Sequence, residues 1–263
     1  IMSNYHHAKK LVVRETWINP LSVLFNHSEN DYFPTLSARS LSMSGELAKF
    51  IQIMRRFMTH YEKFKKNCED MSQTDAMDAD PYIKEKFYKS ASEFVRENKI
   101  EKISATMISK FSYACTGVPM EKITALDFLN VCQGLVVPIH RFRFDQEAME
   151  QRFAGHLTYD TVSQITDAGG KYLLKTESGQ TYEAEYVVLA TPALITKKLL
   201  DFKEPLRQTC KLYTFHVRAK LKDKYRRYQM NLFPFESEII FTAIQDDKTY
   251  LIYTSEEKAD LHQ

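Results

Sequence analysis

The sequence predicts an α+β protein. Between residues 41 and 135, apolar positions recur every three or four residues, the period of one helix face. From residue 136 onward the pattern changes to short β-branched runs, Gly-containing turns and one clean alternation, which read as strands. Length sets the scale: 263 residues allow one large domain or two small ones, at roughly 100–200 residues each. A chain of that size buries a core without covalent staples.

The first forty residues read as irregular, with one strand over 10–18. That strand holds Leu11, Val12, Val13 and the sole tryptophan, Trp17, and Asn19-Pro20 ends it. His6 and His7 are adjacent on a terminus with no acidic or cysteine neighbour, so no metal site is expected there. Four helices follow. The first starts near Ser44, expected as its N-cap, and lines Leu47, Phe50, Ile51, Met54, Phe57, Met58, Tyr61 and Phe64 on one face, expected as core. Its other face carries Lys49, Arg55, Arg56, Glu62, Lys63 and Lys66. The acidic stretch from 69 to 80 lacks the ladder and glycine of a calcium loop and is expected as a solvated loop. A second helix is expected over 81–98, with Pro81 at its first position. A third is expected over 102–115, stopped at Gly117-Val118-Pro119. A fourth runs from Glu121 or Thr124 to Cys132, with Gly134 as its stop.

The strand-rich part begins at residue 136. Strands are then expected over 159–165 and 171–176, with turns at Asp167-Ala168-Gly169-Gly170 and Ser178-Gly179. The segment from Thr181 leads into Tyr186-Val187-Val188-Leu189-Ala190, an unbroken apolar run that suits a strand buried on both faces. Thr191-Pro192 ends it and a helical pattern resumes over 193–200. Tyr213, Phe215, Val217, Ala219 and Leu221 alternate with polar residues, as in a half-buried strand. Residues 222–227 are basic and read as a loop or edge. Residues 238–244 and 249–254 read as a hairpin.

Composition excludes several functions. The chain has 7 glycines, where ordinary usage gives roughly 18 at this length. None has the spacing of a Gly-rich dinucleotide loop or a P-loop. The 36 basic and 34 acidic residues leave +2, which argues against nucleic acid as a partner. No apolar run is long enough for a membrane span. Cys68, Cys115, Cys132 and Cys210 form no C-x-x-C pair and are expected as buried or half-buried thiols in a reducing, cytoplasmic setting.

The stretch from about residue 157 to 200 resembles the FAD-dependent amine oxidase superfamily, which includes monoamine and polyamine oxidases, protoporphyrinogen oxidase and carotenoid desaturases. The matching elements are Thr161-Val162-Ser163-Gln164-Ile165, the strand over 171–176, the Ser178-Gly179 turn and Glu185-Tyr186-Val187-Val188-Leu189-Ala190-Thr191-Pro192. The resemblance implies FAD as cofactor. It places the backbone of Val162 at the adenine end and the turn of Ala190, Thr191 and Pro192 beside the dinucleotide, where small residues permit close approach. It also puts Lys211 roughly where many members carry a lysine near the flavin. Tyr213, Phe215, Phe233 and Phe235 become candidates for a substrate cavity, with core packing as their ordinary alternative. No catalytic residue is assigned.

By the same resemblance, residues 1–135 are the helical part of a substrate domain, 136–200 the β-meander part of an FAD-binding domain, and 201–263 the β-sheet part of the substrate domain. The implied activity is oxidation of a small or apolar substrate by hydride transfer to flavin. The N-terminal G-x-G-x-x-G and the C-terminal Gly-rich flavin segment of the family are absent. The opening at Ile1 and the end at Gln263 are therefore expected to mark an internal portion of a longer flavoprotein. The opposing expectation is a non-catalytic binding or interaction protein on a degenerate flavoprotein scaffold. Substrate, electron acceptor and oligomeric state are not legible.

Overall fold

The computed structural model describes Met2 and residues 10–200, 210–245 and 247–256. His6, His7 and the segments 201–209 and 257–263 lie outside the described residues. The chain forms two compact units, Ile1–Phe144 with Cys210–Gln263, and Asp145–Thr209. It is α+β, as its periodicities predict.

In the larger unit, β1 (Val12–Ile18) is the expected first strand. Two strands in the region read as irregular follow it, β2 (Val23–Asn26) and β3 (Tyr32–Pro34), and then a single turn, α1 (Ala38–Leu41). All four residues of β2 are buried, so it shows no alternation to read. Helix α2 (Ser44–Asn67) buries Phe50, Met54, Phe57 and Phe64 of the predicted stripe; Ile51, Met58 and Tyr61 are half-buried, and Leu47, at its first turn, is exposed. Ser44 is not its N-cap. Met43 holds that position with no side-chain cap, because the chain is already turning out of α1 and the Met43 carbonyl accepts from the Leu47 amide at 2.9 Å.

The acidic stretch is not a loop throughout. Ser72 accepts from the Asp75 amide and starts α3 (Gln73–Asp78), which sends Ala76 and Met77 inward. The expected helix over 81–98 is two: α4 (Pro81–Tyr88) and α5 (Ala91–Glu97). The chain breaks because Ser90 caps α5 and the Lys89 carbonyl accepts from Ala125 at 2.8 Å. The third expected helix runs as α6 (Glu101–Ile103), a π-helical turn over Ser104–Ile108, and α7 (Ser109–Thr116). Gly117 stops it in the left-handed region at φ 65°, a conformation glycine adopts without steric cost. Thr124 caps α8 (Ala125–Cys132). Gly134 does not act as a left-handed stop. It sits in a 3-10 turn (Gln133–Leu135), where a Cβ would lie 2.8 Å from the Phe111 ring.

Strand β4 (Ile139–Phe144) pairs antiparallel with β1, Val12 opposite Phe144 and Ile18 opposite Ile139. The smaller unit supplies α9 (Gln146–Arg152), capped by Asp145, and a three-stranded antiparallel meander of β5 (Val162–Asp167), β6 (Tyr172–Thr176) and β7 (Thr181–Ala184). The positive φ of Gly169 and Gly170 turns β5 into β6. Helix α10 (Ala193–Leu199) follows. The expected buried strand over Tyr186–Ala190 is not there. The segment pairs with no described strand, and Val188 is 91% exposed.

The chain then contributes to the larger unit again. Strand β8 (Tyr213–Val217) ends before the predicted Leu221, because Val217 already faces Tyr250, the first residue of its partner. The basic stretch contains a one-turn helix, α11 (Asp223–Arg226). Then come β9 (Met230–Leu232) and the expected hairpin of β10 (Ile239–Ile244) and β11 (Tyr250–Thr254). The six-stranded sheet has the order β3-β2-β9-β10-β11-β8. Only β2 and β9 run parallel. Two cores result: Phe50, Met54, Phe57, Ile83, Phe94 and Phe128 among the helices, and Phe111, Tyr113 and Ala114 of α7 against Val23, Phe25, Leu232 and Ile240 of the sheet. Of the cysteines only Cys132 is buried. Cys68, Cys115 and Cys210 are exposed, and all four are free thiols.

Candidate functional site

The residues expected to approach a dinucleotide all lie in the smaller unit. Val162 opens β5, opposite Thr176, and the register shifts between Val162 and Gln164. Such an irregularity re-aims the strand where it stands. The strand end is pinned twice. The Glu177 amide donates to the Thr161 carbonyl at 2.9 Å, and Ser178 Oγ donates to the Asp160 carboxylate. Hydrogen bonds from Ser178 and Thr176 hold the Asp160 carboxyl below its ordinary value.

Ala190, Thr191 and Pro192 form an exposed turn into α10, with Pro192 as its N-cap residue. The turn is held from inside the helix. Thr196 Oγ1 lies 2.8 Å from Thr191 Oγ1 and also reaches the Thr191 carbonyl at 3.3 Å, while the Ile195 amide donates to the Pro192 carbonyl at 2.8 Å. Helix α10 packs on β5, so the fold brings the helix that Pro192 begins against the strand that Val162 begins. Between them the chain leaves Tyr186–Ala190 extended, with its backbone unpaired by any described strand.

The other candidates lie in the larger unit. Lys211 is exposed, ahead of β8. Tyr213 and Phe215 are half-buried on β8, Phe233 is buried against Tyr225, and Phe235 is exposed with its edge on Tyr113. Tyr213 and Phe215 stand opposite Thr254 and Ile252 across the sheet, and Phe233 packs on Tyr225 beside α11.

One group of titratable residues carries no motif. Lys110 is buried, and its ammonium donates to His27 Nδ1 at 3.2 Å and to the Ala105 and Thr106 carbonyls of the π-helical turn at 3.3 and 3.4 Å. A lysine only donates, so His27 Nδ1 accepts and its proton sits on Nε2. Burial, with Arg39 nearby, lowers the Lys110 ammonium to about 8. Burial, Lys110 and Arg39 together lower His27 to about 4. In the sequence, Lys110 is one lysine in an apolar helix and His27 one residue of an irregular segment.

No family model matches the chain, and no curated protein matches it in sequence. Solved structures do match. A variant of putrescine oxidase redesigned in its cofactor binding superposes with a TM-score of 0.66 at 11% identity, over 98% of this chain and 64% of that one. A fatty acid isomerase from P. acnes that produces CLA superposes with a TM-score of 0.64 at 13% identity, over 97% of this chain and 63% of that one. Putrescine oxidase bound to putrescine gives 0.59 at 11% identity, over 98% and 64%. The chain shares its fold with putrescine oxidase and with that fatty acid isomerase. The chain spans less than two thirds of the length of these proteins. Among the described residues, no helix is long and apolar enough to cross a membrane.

Proposed function

We infer that residues 1–263 are the substrate-domain and β-meander portion of an FAD-dependent oxidoreductase that oxidises a small or apolar substrate by hydride transfer to flavin. One observation carries the reading: the meander, the bare apolar segment Tyr186–Ala190 and the Pro192 turn follow one another inside a fold that superposes on putrescine oxidase over 98% of the chain.

The residues present fit part of the cofactor. Val162 and the 190–192 turn offer backbone at the end of a strand and at the start of a helix, and the turn is exposed. The phosphates are not provided for, since the 263 residues contain no G-x-G-x-x-G, and dinucleotide phosphates bind at such loops and the helix N-termini behind them. The FAD site is therefore completed by chain outside these residues.

The test is the flavin content of the natural polypeptide that contains these residues. Acid-released cofactor identified by mass is expected to be FAD, one per chain. Ala190→Leu, at an exposed turn, is expected to leave the fold intact and weaken FAD retention. A natural polypeptide free of flavin overturns the reading and leaves the non-catalytic binding protein.

A further inference from the structure

Helices α2, α4 and α5 border a half-open pocket of about 270 Å³ in the larger unit. Ile53, the Tyr82 ring and Phe94 make an apolar wall, and Arg56, Lys86, Glu85, Glu97 and Asn98 a charged one. The charges differ in what they have left to bind. Only 6% of the Lys86 side chain is exposed. Its ammonium donates to Glu85 Oε2 at 2.7 Å and stands 4.2 Å from the centre of the Tyr82 ring. Glu85 Oε1 accepts from Lys89 at 2.7 Å, so both Glu85 oxygens are engaged. Glu97 is held by Lys89 through Oε2, and Asn98 gives its Nδ2 to the Phe94 carbonyl at 2.8 Å. The Arg56 guanidinium stands 4.8 Å from the Tyr82 ring centre and has no ion pair with a described carboxylate.

After these internal pairings the cavity retains donors on Arg56 and Lys86 and acceptors on Glu97 Oε1 and Asn98 Oδ1. Tyr82, Phe94 and Glu85 form the kind of aromatic and acidic box that attracts a cation, but Lys86 already fills it. A simple anion would meet two cations and also two carboxylates at close range. A ligand with both signs on one small frame uses every remaining group. We propose that this cavity binds a free neutral α-amino acid as its zwitterion. The carboxylate lies on Arg56 and Lys86, the ammonium on Glu97 and Asn98, and an apolar side chain beside Ile53. The volume lies just under the usual range for small-molecule pockets, roughly 300–1,000 Å³, which suits a single amino acid. Charge-assisted bonds at both ends make recognition depend on both.

The test is calorimetric titration of the full chain with L-leucine, leucinamide and N-acetyl-leucine, repeated with Arg56→Gln and Glu97→Gln. Both substituted residues are exposed, so the fold is expected to survive, as circular dichroism would report; the buried Lys86 is left alone. Leucine is expected to bind saturably, and each variant and each one-charge analogue to bind at least about tenfold more weakly. No saturable heat with leucine overturns the proposal. So does N-acetyl-leucine or leucinamide binding as tightly as leucine, because one charge then suffices.

Discussion

The two units of the chain bury their apolar residues very differently. The larger unit closes a core between α2, α4, α5 and α8 and a second between α7 and the six-stranded sheet. In the smaller unit, Ile165 is the only buried apolar residue among those described. Its strongest apolar run, Tyr186–Ala190, leaves Tyr186 86% exposed and Val188 91% exposed. Burial of apolar surface is the main favourable term in folding. The larger unit thus supplies its own stability, and the meander holds its shape chiefly through strand pairing and turns. The proposed reading, in which further chain completes this unit, would account for a segment this apolar and this bare.

The sharpest way to break this comparison is to remove a large side chain from each unit. Phe57 is fully buried in the helical core. Phe57→Ala deletes its packing and leaves a cavity, and is expected to cost about 3–5 kcal/mol in urea unfolding. Val188→Ala in the same chain is expected to stay within about 0.5 kcal/mol, as at other exposed sites. A cost for Val188→Ala near that of Phe57→Ala would show that the segment is covered in solution, and the contrast between the units would fail.

The next effect depends on pH and belongs to the larger unit alone. Lys110 is lowered to about 8 by burial, with Arg39 lowering it further and Glu236 and Asp31 opposing; His27 is its neutral hydrogen-bond partner. A depressed lysine binds fewer protons folded than unfolded between pH 8 and its ordinary 10.5. Its charged form therefore penalises the fold below pH 8, and the penalty is relieved as pH rises to 10.5. Relative to Lys110→Met, the parent is expected to gain about 2–3 kcal/mol between pH 8 and 10.5. Other titrations are common to both proteins and drop out of the difference. Parallel stability profiles would show that Lys110 keeps an ordinary affinity for its proton. His27 is lowered in the same direction, and its penalty appears as pH falls from 6.5 toward 4.

A smaller effect sits at a helix stop. Gly117 has φ 65°, and a Cβ there would lie 2.7 Å from Leu212 Cδ2. Gly117→Ala is expected to cost about 1–2 kcal/mol, since strain in the left-handed region adds to a shift of the Leu212 side chain. Gly179 has φ 86° and nothing within reach of a Cβ, so Gly179→Ala carries the strain alone and should cost less. Equal losses would mean that Leu212 yields freely.

Legibility in the sequence follows the same division between local and distant causes. The α2 stripe, the meander strands and the β10–β11 hairpin are set by periods and turns a few residues long, and they stand where the sequence puts them. Strand β2 is four buried residues with no alternation, and its parallel partner β9 lies about two hundred residues onward, so no local signal marks it. The break at Lys89–Ser90 comes from a contact with Ile123 and Ala125, again outside any window of helix periodicity. The apolar run 186–190 reads as a strand buried on both faces, but no described strand pairs with it and Val188 stands exposed, because an apolar run does not by itself specify the neighbours that would bury it. The candidate cofactor residues were recognisable only by family resemblance. The cavity at Arg56 and Lys86 gave no sequence signal, since each charge reads singly as an exposed helix position.

The smallest expected effect tests whether surface charge contributes where the core does not. In the meander, Lys171 pairs with Glu183 across β6 and β7, and both side chains are more than half exposed. If the smaller unit compensated for its missing core with ion pairs, this one would matter. Water screens both charges, and ordering two long side chains cancels much of the attraction, so exposed pairs contribute about 0–1 kcal/mol. Lys171→Ala is therefore expected to change stability by less than about 0.5 kcal/mol, and less again in high salt. Local stability near the 167–172 turn, read by amide exchange, should be unmoved. A loss above about 1 kcal/mol would mean that the meander leans on its surface charges as well as on its strand pairing and turns.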